Sequence, residues 1–240
     1  MIIFANGDSH TVATNPIGTS FYNYDIAWPR WIAEEFKLDY INIAEPGSGN
    51  EQISRSTIIK VGSLIKQVNP KDILVTILWA GWKRYEFWND VESKHQSLSL
   101  KSKWKPKQEI VDYVEKRSIV DSDNYTYYKD LFHIYNTAIA LESYGVNYVF
   151  CNANRCMLTP EEFVDSPELN YEYQQLYNLY GDRKNNHIGF HNKQETFQEY
   201  LKDFPTVVDG PYWGVEGHKA YANFVQKRLD FNQIVRYNRC

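Results

Sequence analysis

Residues 72–80, DILVTILWA, constrain this chain more than any other segment. A strand with one wet face alternates apolar and polar side chains, whereas a near-continuous apolar run is covered on both faces, as in the interior of a parallel sheet. The run is too short for a bilayer, which needs roughly 18 or more apolar residues. Parallel neighbours need helical crossovers, and the chain supplies them. Strands are predicted at residues 2–5, 40–44, 147–151 and 206–208, and helices at 25–36, 50–68, 125–144, 167–180 and 215–229. Trp28, Trp31, Ile32 and Phe36 share one helical face, as do Ile53, Thr57, Val61, Leu64 and Ile65. Asn50 is the expected N-cap of the second helix. The expected fold is therefore α/β, a doubly wound single domain over residues 1–240 with a central parallel five-stranded sheet and insertions at about 85–121 and 157–204.

Composition narrows the function classes. With 43% hydrophobic and 23% charged residues the chain is neither a disordered tail nor a membrane bundle, and a net charge of −4 gives no general case for nucleic acid. The stretch at 101–107, KSKWKPK, is read as a solvated insertion or edge hairpin ahead of a basic, aromatic contact for nucleic acid or polysaccharide. Aromatic residues reach 16%; most are assigned to the core, although such residues also line sugar-binding and protein-binding surfaces. The three cysteines, Cys151, Cys156 and Cys240, lack the Cys–His spacing of a zinc site, and Cys151 is expected in a buried strand. No metal or organic cofactor is indicated. The opening MIIFANGDSH lacks a basic n-region, so a cytoplasmic rather than Sec-secreted protein is expected.

In an open parallel sheet, ligands bind at the carboxyl ends of the strands. Four segments fall there: Gly7–His10, Pro46–Asn50, Trp79–Glu86 and Asp209–His218. A serine on a tight turn entering a helix presents its hydroxyl beside backbone donors, and a glycine in the next loop lets an N–H approach an oxyanion. An Asp and a His late in the chain are the partners that an acyl-transfer triad requires. Asp8 is expected to fix its turn by accepting backbone N–H bonds, with His10 as a packing or hydrogen-bonding neighbour. Arg84 and Glu86 are expected to pair across the crevice, with Arg84 as an anion contact in the alternative.

The run Asn6-Gly7-Asp8-Ser9-His10-Thr11 resembles the first block of the SGNH, or GDSL-type, hydrolases, and 42–47, NIAEPG, resembles their second. The continuation from Gly47 to Arg55, with Trp79, Arg84 and Glu86, is similar to SGNH-like proteins of bacteriophages, and Asp209 with Gly217-His218 and Ala222 resembles the last block. The likeness covers about residues 1–86 and 205–230. It implies a flavodoxin-like three-layer sandwich and a serine esterase acting on a small ester or an acylated carbohydrate; charge and hydropathy point to neither nucleic acid nor membrane as partner, and a phage protein would reside in the host cytoplasm or on the virion. In that reading Ser9 is the nucleophile, Asp209 orients the base, Gly47 donates to the oxyanion, and Asn50, Arg84 and Tyr212 contact the substrate.

Two departures qualify it. Lys83 stands where the family places an oxyanion-hole asparagine, and Tyr212 where it places the catalytic histidine. A phenol titrates near 10 against about 6.5 for imidazole, so only about one in a thousand is ionised at pH 7. His218, matching a second histidine of that block, is then the candidate base, and a catalytically degenerate fold used for binding or as a phage structural component is the alternative.

Overall fold

A computed structural model describes residues 1–13, 23–81, 83–89, 94–98, 108–206 and 213–228. Among them, β1 (Ile2–Gly7), β2 (Asp39–Asn42), β3 (Ile73–Trp79), β6 (Asn147–Asn152) and β7 (His187–Ile188) form one parallel sheet in the order β2-β1-β3-β6-β7. β4 (Tyr85–Asn89) and β5 (Lys94–Leu98) form a separate antiparallel hairpin. This is the flavodoxin-like order, and its switch point lies between the carboxyl ends of β1 and β3.

Strand alternation divides the core into two layers. Phe4, Ile73, Val75, Ile77, Trp79 and Phe150 face α3 (Asn50–Leu64), α5 (Asp123–Tyr144) and α6 (Pro167–Tyr180). Ile3, Leu74, Leu78, Val149 and Cys151 face α2 (Trp28–Phe36), α7 (Phe197–Leu201) and α8 (Val215–Arg228). All seven residues of β3 are buried, which is why its sequence carries no alternation.

Several expectations need correction. The fifth strand of the sheet is β7, pairing Phe150 with His187 and Cys151 with Ile188. Thr206, predicted to begin it, sits in an isolated antiparallel bridge to Trp213, and 207–208 lie outside the described residues. Asn50 is the first residue of α3 rather than its cap, which is Gly49. The first insertion contains the hairpin and a helix, α4 (Gln108–Val120), that no sequence signal announced; KSKWKPK at 101–107 is outside the described residues. No described helix is long and apolar enough to cross a membrane.

Gly7 ends β1 with φ +155°, and a Cβ there would lie 2.2 Å from Thr11 Oγ1 and 2.8 Å from the Leu78 carbonyl oxygen. The hydroxyl can rotate away, but the carbonyl belongs to the central strand. Gly7→Ala is expected to lose about 1–3 kcal/mol through overpacking, visible as a lower midpoint in urea unfolding.

Candidate functional site

The turn after β1 is built around a buried carboxylate. Asp8 caps α1 (Ser9–Val12), accepting the His10 N–H at 3.0 Å, and the same oxygen lies 3.0 Å from His10 Nδ1. Its other oxygen takes Arg84 Nη1 at 3.2 Å. Burial alone raises the Asp8 pKa, but the His10 ring and N–H and the Arg84 guanidinium outweigh it and hold the carboxyl well below the usual range. Asp8 thus fixes its turn as its residue type suggested. Nε2 of His10 lies 2.9 Å from Gln198 Nε2, so both ring nitrogens of His10 are engaged. Neither is available to take a proton from its neighbour Ser9.

Ser9 follows as the first residue of α1. Among the described residues, its hydroxyl and the backbone N–H groups of Ser9 and Gly47 have no hydrogen-bond partner. Gly47 adopts φ +90°, and the space that a Cβ would occupy is open. Its glycine is therefore required by backbone conformation rather than by crowding.

The surrounding loops are pinned together by side chains. Asn50 accepts the Ala80 N–H at 2.8 Å and donates to the Ala80 carbonyl at 3.0 Å, which joins the loops after β2 and β3. Its amide therefore fastens the site's frame, where a substrate contact was expected. The Ser97 hydroxyl accepts the Gly49 N–H and donates to Gln52, and Gln52 donates to Glu45. Arg84 also donates to the Ser48 carbonyl. The expected Arg84–Glu86 pair does not form: Glu86 takes Arg55 at 2.5 Å, and Arg84 turns inward to Asp8. Lys83 extends to the Asp121 carbonyl and lies 3.7 Å from Asp123, at the head of α5.

His218 lies on α8, where it caps another helix. The N-cap of α2, Ala27, has no side chain able to satisfy the first-turn donors, and Nδ1 of His218 accepts the Trp28 N–H at 3.1 Å. With Nδ1 accepting, a neutral imidazole carries its proton on Nε2 and has no second lone pair. Burial, with His10 nearby, pushes its pKa down to about 3, against a hydrogen bond to the Trp213 backbone. Phe197 packs against both His10 and His218, with ring centroids 5.5 Å away in each case. The base role expected of His218 therefore meets an imidazole already used as a helix cap. Asp209 and Tyr212 lie outside the described residues.

The sequence did not reveal Gln198 or the Arg84–Asp8 pair. It also missed Asp130 on α5, whose carboxyl burial pushes up to about 6 while the Asn50 amide, Arg155 and Lys129 pull it down. Among the described residues no cluster of three or more His, Cys, Asp or Glu could hold a metal ion.

Comparison with known proteins gives a family and a set of distant structures. A family described as being of unknown function, DUF6071, matches residues 10–159. No curated protein matches the chain. Among solved structures it is similar to a Desulfitobacterium hafniense protein assigned to the lipolytic G-D-S-L family, at 14% identity and a TM-score of 0.48 over 95% of this chain and 99% of that one. It is also similar to an acetyl xylan esterase from the rumen bacterium Butyrivibrio proteoclasticus, at 10% identity and a TM-score of 0.49 over 96% of this chain and 64% of that one.

Proposed function

We propose that this chain, which belongs to the DUF6071 family, uses the crevice at Ser9 to bind a small ester or acylated carbohydrate without ordinary serine-hydrolase turnover. The observation that carries this reading is the His218 ring, whose Nδ1 lone pair is held by the Trp28 N–H. General-base catalysis needs a free lone pair within hydrogen-bond reach of the hydroxyl. What remains at Ser9, among the described residues, is a hydroxyl and two N–H groups, those of Ser9 and Gly47, without hydrogen-bond partners, with Arg84 held by Asp8 of the same turn. Such donors recognise a carbonyl or carboxylate oxygen whether or not a bond is broken.

A second reading, the serine esterase implied by the resemblance, is favoured by one observation: the Ser9 hydroxyl, too, is unclaimed among the described residues. Lys83 directed at Asp121 makes it a slow enzyme, since losing one oxyanion donor typically costs about a hundred- to a thousand-fold in rate.

Fluorophosphonate labelling of the protein beside Ser9→Ala, followed by hydrolysis of p-nitrophenyl acetate, separates the two. The binding reading predicts no serine-dependent labelling across about pH 6 to 9, a range that runs from a mostly protonated to a fully neutral ordinary histidine, and equal background hydrolysis by both proteins. Labelling abolished in Ser9→Ala would overturn it in favour of the esterase. Tyr212→Phe would then ask whether the phenol serves as base.

A further inference from the structure

Arg84 also lines a cavity of about 300 Å³, walled by the head of α3, residues 83–85, Arg117 of α4 and the first turns of α5. That volume is at the lower end of the range for small-ligand sites. Its most distinctive wall is a strip of rings. Tyr125, Tyr128 and Phe132 are spaced three and four residues apart and share a helix face. Their ring planes are 20° and 23° apart, with centroids 6.1 and 6.5 Å apart. The strip runs about 10 Å along the helix at 1.5 Å per residue. Phe132 at its end is 45% exposed.

Charge decides what lies on it. Four cations line the cavity, and each already has a carboxylate outside its wall. Lys129 lies 2.6 Å from Asp121 and Arg117 3.6 Å from the same carboxylate. Lys83 pairs with Asp123 and Arg84 with Asp8. Lys129 also covers the faces of Tyr85 and Tyr125, at 5.4 and 5.2 Å from the ring centroids, so a cationic ligand finds those faces taken. The carboxylates that do line the cavity, Glu51 and Asp130, repel an anion. The chemistry left is a ligand with an apolar flat side, several hydroxyls and no charge.

We propose that this cavity is a binding subsite for a neutral saccharide, with sugar rings stacked on Tyr128 and Phe132 and hydroxyls bonded to Asp130 and Glu51. The inference deepens the function proposed above by naming the carbohydrate part of its ligand, and rests on that reading only for the acyl group at Ser9. Asp130, although burial pushes its carboxyl up to about 6, is mostly ionised at neutral pH and accepts hydrogen bonds from a ligand's hydroxyls.

The test uses the full chain against a panel of neutral, unacylated glycans (xylo-, cello- and manno-oligosaccharides among them) beside sulfated and uronic acid-containing ones. Binding to at least one neutral glycan is expected, unchanged between about 50 and 500 mM NaCl because no ion pair is made. Phe132→Ala is expected to weaken it about tenfold, the loss of one stacked ring, and Tyr128→Ala similarly. Phe132 is largely outside the core, so this variant retains the parent's thermal transition. No binding to any neutral glycan, binding indifferent to both ring variants, or binding confined to acidic glycans and lost in salt would each overturn the proposal. Because the probes lack an acyl group, failure here is independent of the labelling result at Ser9.

Discussion

Asp8→Asn is expected to destabilise the protein by about 3–5 kcal/mol, the usual effect of removing one partner from a buried ion pair. Asp8 is 0% and Arg84 10% exposed, so the guanidinium left behind has little water to replace the carboxylate. The same substitution removes the charge that holds His10 Nδ1. For a chain of this length each kcal/mol shifts Tm by about 2–4 °C, so a fall of about 10 °C is expected by calorimetry. Removing both charges, in Asp8→Asn with Arg84→Met, recovers much of the loss because no uncompensated ion remains. A single variant within about 0.5 kcal/mol of the parent, an ordinary surface substitution, would show that the pair does not hold the turn.

The second large effect is acid destabilisation from two histidines. Burial pushes both His187 and His218 down to about 3, against about 6.5 in an unfolded chain. The native state therefore binds fewer protons than the unfolded one between these values, and stability falls as pH drops below about 6.5. At pH 5 this is about 2 kcal/mol for each ring, from 1.36 kcal/mol per pKa unit. Asp130 acts with the opposite sign: its folded pKa of about 6 is raised, so protonation favours the native state and returns about 1 kcal/mol by pH 5. Asp8, with its lowered pKa, adds a loss only below about 3.9. These groups together give a net loss of about 3 kcal/mol between pH 7 and 5, and His133 and His191, whose pKa values burial also lowers, act in the same direction. His218→Asn is expected to remove about half of what His187 and His218 contribute to the slope in Tm against pH, and a flat profile in the parent would refute the burial argument.

What could be read from the sequence follows from the range of each interaction. β3 and its helical crossovers were legible because covered strands and amphipathic helices imprint their period on a dozen or so consecutive residues. α6 was predicted with the bounds it has, Pro167–Tyr180. β7 was missed because two residues, one of them a histidine bonded to Asn152 and Tyr180, carry no pattern. α4 was missed because Val114 is its one buried residue, and a helix packed through so little has no stripe to detect. Ser9 and Gly47 stood out because the turns that present them are local. The partners of Arg84 and His218 did not, being chosen across 76 and 190 residues by the folded sheet rather than by any neighbour in the chain. The uncapped start of α2 was the one available clue: Ala27 before Trp28-Pro29 leaves first-turn donors in need of an acceptor from elsewhere.

That remote cap also sets how freely the protein can grow. Trp28 and His218 close a chain segment of 190 residues, and the entropy of closing so long a loop rises only with the logarithm of its length. Making the segment half as long again adds roughly 0.4 kcal/mol. Between those two residues lie the separate hairpin, α4, and the irregular stretches on either side of α6. Chain inserted there leaves the cap almost indifferent, provided its folded ends stay where they are. The tolerance stops at the ring itself: the first turn of α2 depends on an imidazole near the far end of the described chain, and among the described residues no other side chain caps it.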